Sequence, residues 1–141
     1  MPSLALLRVF FALLLAGYPV TMRLFEVSAY TRLCSEGEPW FGRTASGEVA
    51  RVGMAALPAS YPFGTLVYLD GGADSGSGLG SGVRRWRVED RGAEITRLQD
   101  GRDRMDLCLV GLTASDSSDE LAARKWGRQD RWAVVVWPTA D

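Results

Sequence analysis

The chain has 141 residues, 47% of them hydrophobic, with 16 basic and 17 acidic side chains and no histidine. This length suits one compact domain rather than two, and a near-zero net charge with interspersed signs leaves no electrostatic footprint for nucleic acid or an anionic membrane surface. Without histidine there is no Ser/His/Asp or Cys/His nucleophilic machinery and the commonest zinc ligand is missing, so acid–base work falls to carboxylates.

Residues 4–20 are an apolar run interrupted only by Arg8. Counted from Val9 the run is short for a membrane span but fits the h-region of a signal peptide, with Arg8 and the amino terminus as its n-region. Residues 1–22 are therefore expected to be an export signal or N-terminal membrane anchor, and residues 23–141 an extracytoplasmic domain. Ala16 and Gly17 both have leucine at the minus-three position, a poor cleavage site. An uncleaved anchor, or an ordinary buried helix, stays open.

The first domain strand is expected over residues 24–31, where Phe25 and Val27 alternate with Glu26, Ser28 and Tyr30. A loop with Gly37, Pro39 and Gly42 follows, carrying Trp40 and Phe41, large aromatics that can stack on a sugar face or cap the end of a barrel. Residues 44–47 (TASG) form a turn, and residues 49–56 read as a short buried strand. Pro58 and Pro62 exclude a helix from the next connection, and residues 66–69 (LVYL) are a strand. The Gly/Ser-rich residues 70–82 read as an exposed hairpin loop.

The next stretch, residues 86–109 (WRVEDRGAEITRLQDGRDRMDLCL), begins as a strand, breaks at Asp90-Arg91-Gly92, crosses a charged loop and re-enters a strand at Met105. Asp90 and Asp106 thus stand where strands end or begin. An aspartate within MDLCLVGL is poorly placed for β propensity and costly to bury unpaired, which makes the two carboxylates candidates for chemistry. The bland alternative is that they cap turns at the barrel mouth. Cys34 and Cys108 lack CxxC spacing, so neither a metal nor a redox motif is indicated. They either pair in an oxidising compartment or stand as one loop and one strand cysteine.

A single helix is expected over residues 116–126, capped by Ser115 or Asp116, acidic in its first turn and ended by Gly127. Residues 132–137 (WAVVVW) form a last strand, apolar on both faces. Six short strands with one short helix indicate a mainly β protein, a small closed barrel.

In order, AYT at residues 29–31, TxSG at 44–47, YPFGTLVYL at 61–69, DxG at 90–92, RMDL at 104–107 and AxxWGR at 123–128 resemble the three-aspartate (3D) domain. The resemblance covers nearly all of the chain after residue 24. It implies a six-stranded double-psi β-barrel, as in stationary-phase muralytic proteins and membrane-bound lytic transglycosylases. It also implies cleavage of peptidoglycan between N-acetylmuramic acid and N-acetylglucosamine with formation of a 1,6-anhydro sugar, a reaction that uses one carboxyl as acid and then base and needs no metal or cofactor. On this resemblance Asp106 is the acid/base and Asp90 its partner, while Tyr30, Thr44, Ser46 and the backbone at Gly92 place the glycan. The partner is peptidoglycan, and the chain is expected to act as a monomer in the cell envelope.

Two departures bear on activity. The first family aspartate is replaced by Leu57, and the segment between Asp90 and Asp106 is longer and more charged than usual, so that Glu89, Glu94 or Asp103 could stand in for the missing carboxylate. Double-psi barrels of the expansin and rare-lipoprotein type host binding as well as cleavage, so an inactive glycan-binding barrel or a structural envelope protein remain alternatives.

Overall fold

The computed structural model describes residues 1–70, 79 and 82–139. The described residues form six strands, β1 (Val20–Tyr30), β2 (Met54–Ala56), β3 (Leu66–Leu69), β4 (Arg84–Asp90), β5 (Asp103–Cys108) and β6 (Gln129–Val136), and two α-helices, α1 (Leu4–Leu15) and α2 (Asp116–Trp126). The strands close into a barrel in the order β1-β5-β2-β4-β3-β6. Pairs β1/β5 and β2/β4 are parallel, and the other four pairs are antiparallel. Because β5 lies between β1 and β2, and β2 between β4 and β5, the β1–β2 and β4–β5 connections each step over an intervening strand. Two such interlocking crossings define a double-psi β-barrel, mainly β as expected.

Period-two alternation decides which side chains fill it. Phe25 and Val27 on β1, Val67 and Leu69 on β3, Trp86 and Val88 on β4, Met105 and Leu107 on β5, and Ala133 and Val135 on β6 all point inward and are buried in one cluster. Tyr61, from the β2–β3 connection, plugs one end: its ring stacks on Trp137 at 5.1 Å and its hydroxyl donates to Asp103 at 2.5 Å. Helix α2 has the expected bounds. Ser115 caps it by accepting from the Ser118 amide, and Gly127 ends it at φ 66°. Its inward face is Asp119, Ala122 and Trp126, whereas Leu121 is exposed. The Trp126 indole donates to the Val27 carbonyl at 3.1 Å, which fixes α2 to β1.

Several strand bounds differ from the sequence reading: β4 and β5 each begin two residues early, at Arg84 and Asp103, and three differences are larger. β1 begins at Val20, four residues early, because Val20–Arg23 pair with the far end of β6. β6 likewise begins at Gln129. The strand expected over 49–56 shrinks to Met54–Ala56: Val49 bridges Arg43 in a separate hairpin, and Gly53, at φ 99°, lies inside a turn in which the Met54 amide donates to the Arg51 carbonyl. The hairpin loop expected over 70–82 lies largely outside the described residues.

The apolar segment 4–15 is helical, with Ser3 as its cap and the Ser3 amide donating to Asp70. Leu6 is fully buried against Val134 and Val136, with Met22, Leu66 and Tyr68 around it, so α1 covers the outer face of β6, β1 and β3. No helix among the described residues is long and apolar enough to cross a membrane.

Candidate functional site

The outward-facing side chains on the opposite side of the barrel are polar. On β1 they are Glu26, Ser28 and Tyr30; on β5 they are Arg104 and Asp106. The register aligns Ser28 with Asp106, Asp106 with Ala56, and Ala56 with Asp90. Four adjacent strands therefore carry one row, Ser28–Asp106–Ala56–Asp90, in which the methyl group of Ala56 is the floor between two carboxylates. The row lines an open cleft of about 850 Å³. Above it stand Trp40, Thr44 and Ala45 from the β1–β2 connection, and Gly92, Glu94 and Ile95 from the β4–β5 connection. The two psi crossings thus build the walls, and the barrel face builds the floor.

Asp90 and Asp106 face the same cleft but are not adjacent. They stand two strand spacings apart, which puts their Cα atoms about 9 to 10 Å from each other, and each carboxylate is bonded elsewhere. Asp90 accepts from the Tyr30 hydroxyl at 2.7 Å and from the backbone amides of Ala45 and Arg91, both at 2.9 Å. Asp106 accepts from the Ser28 hydroxyl at 2.9 Å. Burial pushes the Asp106 carboxyl up from 3.8 to about 6; the Ser28 hydrogen bond and Arg128 oppose the rise, and the charge of Asp90 adds to it. Burial, with Cys108 and Asp90 close by, raises the Tyr30 phenol, which stays protonated as a donor.

The remaining site expectations divide. Thr44 lines the cleft and shares a hydrogen bond with Ser46 at 2.9 Å. Ser46 does not line it: its amide donates to the Glu89 carbonyl and so clips the 44–47 turn to the end of β4. That clip aims the Ala45 amide at Asp90. Gly92 lines the cleft, and a Cβ there would stand 2.8 Å from Ile95 Cγ1, so a larger residue would require Ile95 to shift. Trp40 lines the cleft and is exposed, whereas Phe41 lies against the Arg32 guanidinium.

Leu57 is wholly buried in the main core, so no carboxylate reaches the cleft from that position. Of the three substitutes considered, Glu94 lines the cleft. Glu89 instead pairs with Arg87 at 2.8 Å, and Asp103 is buried at the plugged end, bound by Tyr61 and by Arg97 at 3.0 Å. Both cysteines are free thiols, Cys34 exposed and Cys108 buried, and burial pushes the Cys108 thiol up to about 11. No cluster of three or more Cys, Asp or Glu side chains among the described residues is arranged to hold a metal ion.

Sequence reasoning missed Ser28, Ala56, and the ion group of Glu26, Arg104 and Arg128 beside them. The signal for Ser28 was present, since Glu26, Ser28 and Tyr30 are the polar phase of β1. The signal for Ala56 was not, because its place between the carboxylates follows from pairings across the whole chain.

The molecule is thus a double-psi barrel with a carboxyl-bearing cleft on its outer face, the architecture of the 3D-type barrel that the motif order resembles. No family model matches the chain, and no curated protein does either. Among solved structures it is similar to MltA from E. coli, at 22% identity over 70% of this chain with a TM-score of 0.42. A second crystal structure of MltA, described as a lytic transglycosylase fold, gives 20% identity, 70% coverage and a TM-score of 0.39. MltA with bound chitohexaose gives 15% identity, 68% coverage and a TM-score of 0.41. The chain spans about 28% of the length of each of these solved chains.

Proposed function

We propose that this chain is a glycan-cleaving protein of the lytic transglycosylase type, acting on the N-acetylmuramic acid–N-acetylglucosamine bond of peptidoglycan. The observation that carries the reading is the row Ser28–Asp106–Ala56–Asp90 on the floor of an open cleft, with the Asp106 carboxyl held near 6 by burial. A carboxyl that keeps its proton to about pH 6, well above the ordinary carboxylate range, is what a general acid needs. In the proposed reaction Asp106 gives its proton to the glycosidic oxygen as that bond breaks. Its carboxylate then takes the proton of the same sugar's C6 hydroxyl, whose oxygen closes on C1 to form the 1,6-anhydro ring. The proton returns to where it started and no water is consumed.

Asp90 acts through its field rather than by sharing a proton across a short contact. Its charge raises the proton affinity of Asp106, and Tyr30 and the Ala45 amide fix where that charge sits. Tyr30, Thr44 and the Gly92 backbone place the sugar, and Ser46 holds the wall from behind. The segment 1–22 is proposed to direct the protein out of the cytoplasm and to stay attached, since Leu6 of α1 packs on the barrel and β1 already begins at Val20, and the protein is proposed to work as a monomer on the cell wall. Mass spectrometry of the amino terminus from the extracytoplasmic fraction tests this: a terminus beyond Val20 would show cleavage instead.

A second reading, a barrel that binds glycan without cutting it, is favoured by one observation: Leu57 lies in the core where the resemblance implies a third carboxylate. A digest of purified peptidoglycan separates the two. Release of anhydro-muropeptides supports cleavage, whereas retention on insoluble wall with no released product supports binding alone.

A further inference from the structure

Helix α1 is apolar on both faces but covered on only one. Leu6 is buried against the barrel with Phe10 and Leu13 packed beside it, whereas Leu4, Phe11, Leu14, Leu15 and Tyr18 are exposed. At about 100° per residue, Leu4, Phe11 and Leu15 fall within about 40° of one another and form a continuous outer stripe. A helix that is apolar all round is normally enclosed all round, and a contiguous exposed apolar patch marks a docking surface. Both ends of the segment are tied to the barrel: the Ser3 amide donates to the Asp70 carboxylate at 2.8 Å, and the Trp137 amide donates to the Pro19 carbonyl at 3.0 Å. The helix has 12 residues. Its length of about 18 Å is well short of a hydrocarbon core of about 30 Å, so it neither swings free nor spans.

We infer that α1 is a membrane foot, lying flat in a lipid surface with its outer stripe among the acyl chains of one leaflet and the barrel above it. Interfacial helices ordinarily carry a polar face toward water. Here the barrel takes that place, because it already covers the inner face of α1. Arg8 decides between a lipid surface and a second copy of this chain as the cover. It is exposed near the middle of the helix and within about 40° of Leu4 and Leu15, and residues 1–22 hold no acidic side chain. A two-fold contact through the stripe would press two like charges together in an apolar interface with no counter-charge. At a lipid surface the stem of Arg8 lies along the acyl boundary while its guanidinium reaches the phosphates. The rings of Phe11 and Tyr18 suit the same boundary. With the net charge of the chain near zero, the attraction is apolar rather than long-range, and zwitterionic lipid is enough. The cleft opens on the side of the barrel away from α1, so the foot turns it toward water. Docking requires the segment to be retained, as proposed above, and is independent of glycan cleavage.

The test floats the purified full chain with vesicles of phosphatidylcholine alone and of phosphatidylcholine mixed with phosphatidylglycerol. Comparable binding to both is expected. Leu4→Gln, Phe11→Gln and Leu15→Gln together should lower partitioning on the order of 100-fold at an unchanged denaturation midpoint. Leu15→Gln alone, at a position 87% exposed, should lower it on the order of tenfold. Leu121→Gln, which removes an exposed leucine from α2, should leave it as it was. Cys34, exposed and lining the cleft, should react with a water-soluble maleimide at the same rate on vesicles and off them, which reads the orientation. A full chain that stays in the aqueous layer, one that floats only with the anionic vesicles, or a triple variant that floats like the parent overturns the inference. So does a dimer that forms without lipid and is dissolved by the triple variant, which would make a second copy the cover. Protection of Cys34 on vesicles overturns the orientation. An amino terminus found beyond Val20 in the extracytoplasmic fraction would remove the foot from the working protein, a failure distinct from that of a full chain that ignores lipid.

Discussion

β1 passes beneath two different covers, and the contrast shows how the barrel separates stability from chemistry. Its outward side chains are Val20 and Met22 at one end and Glu26, Ser28 and Tyr30 at the other, all in the same period-two phase. The first two lie beneath α1 in an apolar cluster centred on Leu6, Val134 and Val136. The other three open into the cleft. Where a helix covers the sheet, the outward phase is apolar and contributes to holding the fold. Where only the two psi connections rise beside it, the outward phase is polar, and a buried carboxyl is tolerated at some cost.

Asp106→Asn should produce the largest functional change. It keeps the shape of the side chain and its contact with Ser28 but cannot transfer the proton, which is worth about 100- to 10,000-fold in rate. Anhydro-muropeptide release should disappear while retention on insoluble wall persists. A variant that still releases product at the parent rate would move the acid/base role to another residue, with Glu94, which also lines the cleft, the first to test. The same change should raise stability at neutral pH. In the folded chain the carboxyl sits at about 6 rather than 3.8, so the folded state binds the proton more tightly than the unfolded one. The stability this provides is fully present below the unfolded value and is lost as pH rises through about 6. Two pKa units correspond to roughly 3 kcal/mol as an upper bound, which the amide has no proton to lose.

The covered face should respond in the opposite way. Leu6→Ala in the full chain removes a fully buried side chain from between α1 and the sheet and should cost about 2 to 3 kcal/mol, read as a lower denaturation midpoint. Wall retention should not change, because the cluster around Leu6 contains none of the residues that line the cleft. A loss of glycan binding in this variant would mean that the two faces are coupled through β1.

A smaller effect, confined to the cleft wall, is expected from Gly92→Ala. The added methyl would stand 2.8 Å from Ile95 Cγ1, so the Ile95 side chain in the cleft wall must shift. Forcing a methyl into such contact costs about 1 to 3 kcal/mol where the surroundings cannot give. Here the turn is at the surface, so the lower end applies and glycan affinity should fall more than stability does.

The same contrast explains what could be read from the sequence. Helix α2 was legible to the residue because Ser115 and Gly127 are local signals. The strand at Leu66–Leu69 and the greater part of β5, from Met105 on, were legible because burial on one face leaves an apolar phase. Asp90 and Asp106 stood out because carboxylates at strand ends conflict with local propensity. Their separation by β2 was not legible, since it depends on one parallel and one antiparallel pairing between segments tens of residues apart. Nor was the difference between Asp103 and Asp106, which lie on one strand three residues apart and therefore on opposite faces: Asp103 turns into the plugged end and Asp106 out to the cleft. Alternation gives relative phase, but which phase is inside is fixed only when the sheet closes.

The finest effect should be a displacement of the pH profile in opposite directions by two neighbours of Asp106. On the proposed mechanism Asp106 acts first as an acid, so activity should fall as pH rises through its pKa, and its titration is the alkaline limb of the profile. The Ser28 hydroxyl donates to the Asp106 carboxylate and holds its pKa down, whereas the negative charge of Asp90 holds it up. Ser28→Ala should therefore move the alkaline limb to higher pH, and Asp90→Asn should move it to lower pH. The two changes differ in reach as well as sign. The hydrogen bond is direct and insensitive to salt, while the Asp90 effect crosses the width of β2 and should weaken as ionic strength rises. Rates measured across pH at two salt concentrations separate them. Shifts of the same sign in both variants, or an Asp90→Asn shift indifferent to salt, would show that Asp90 does not act on Asp106 through its charge.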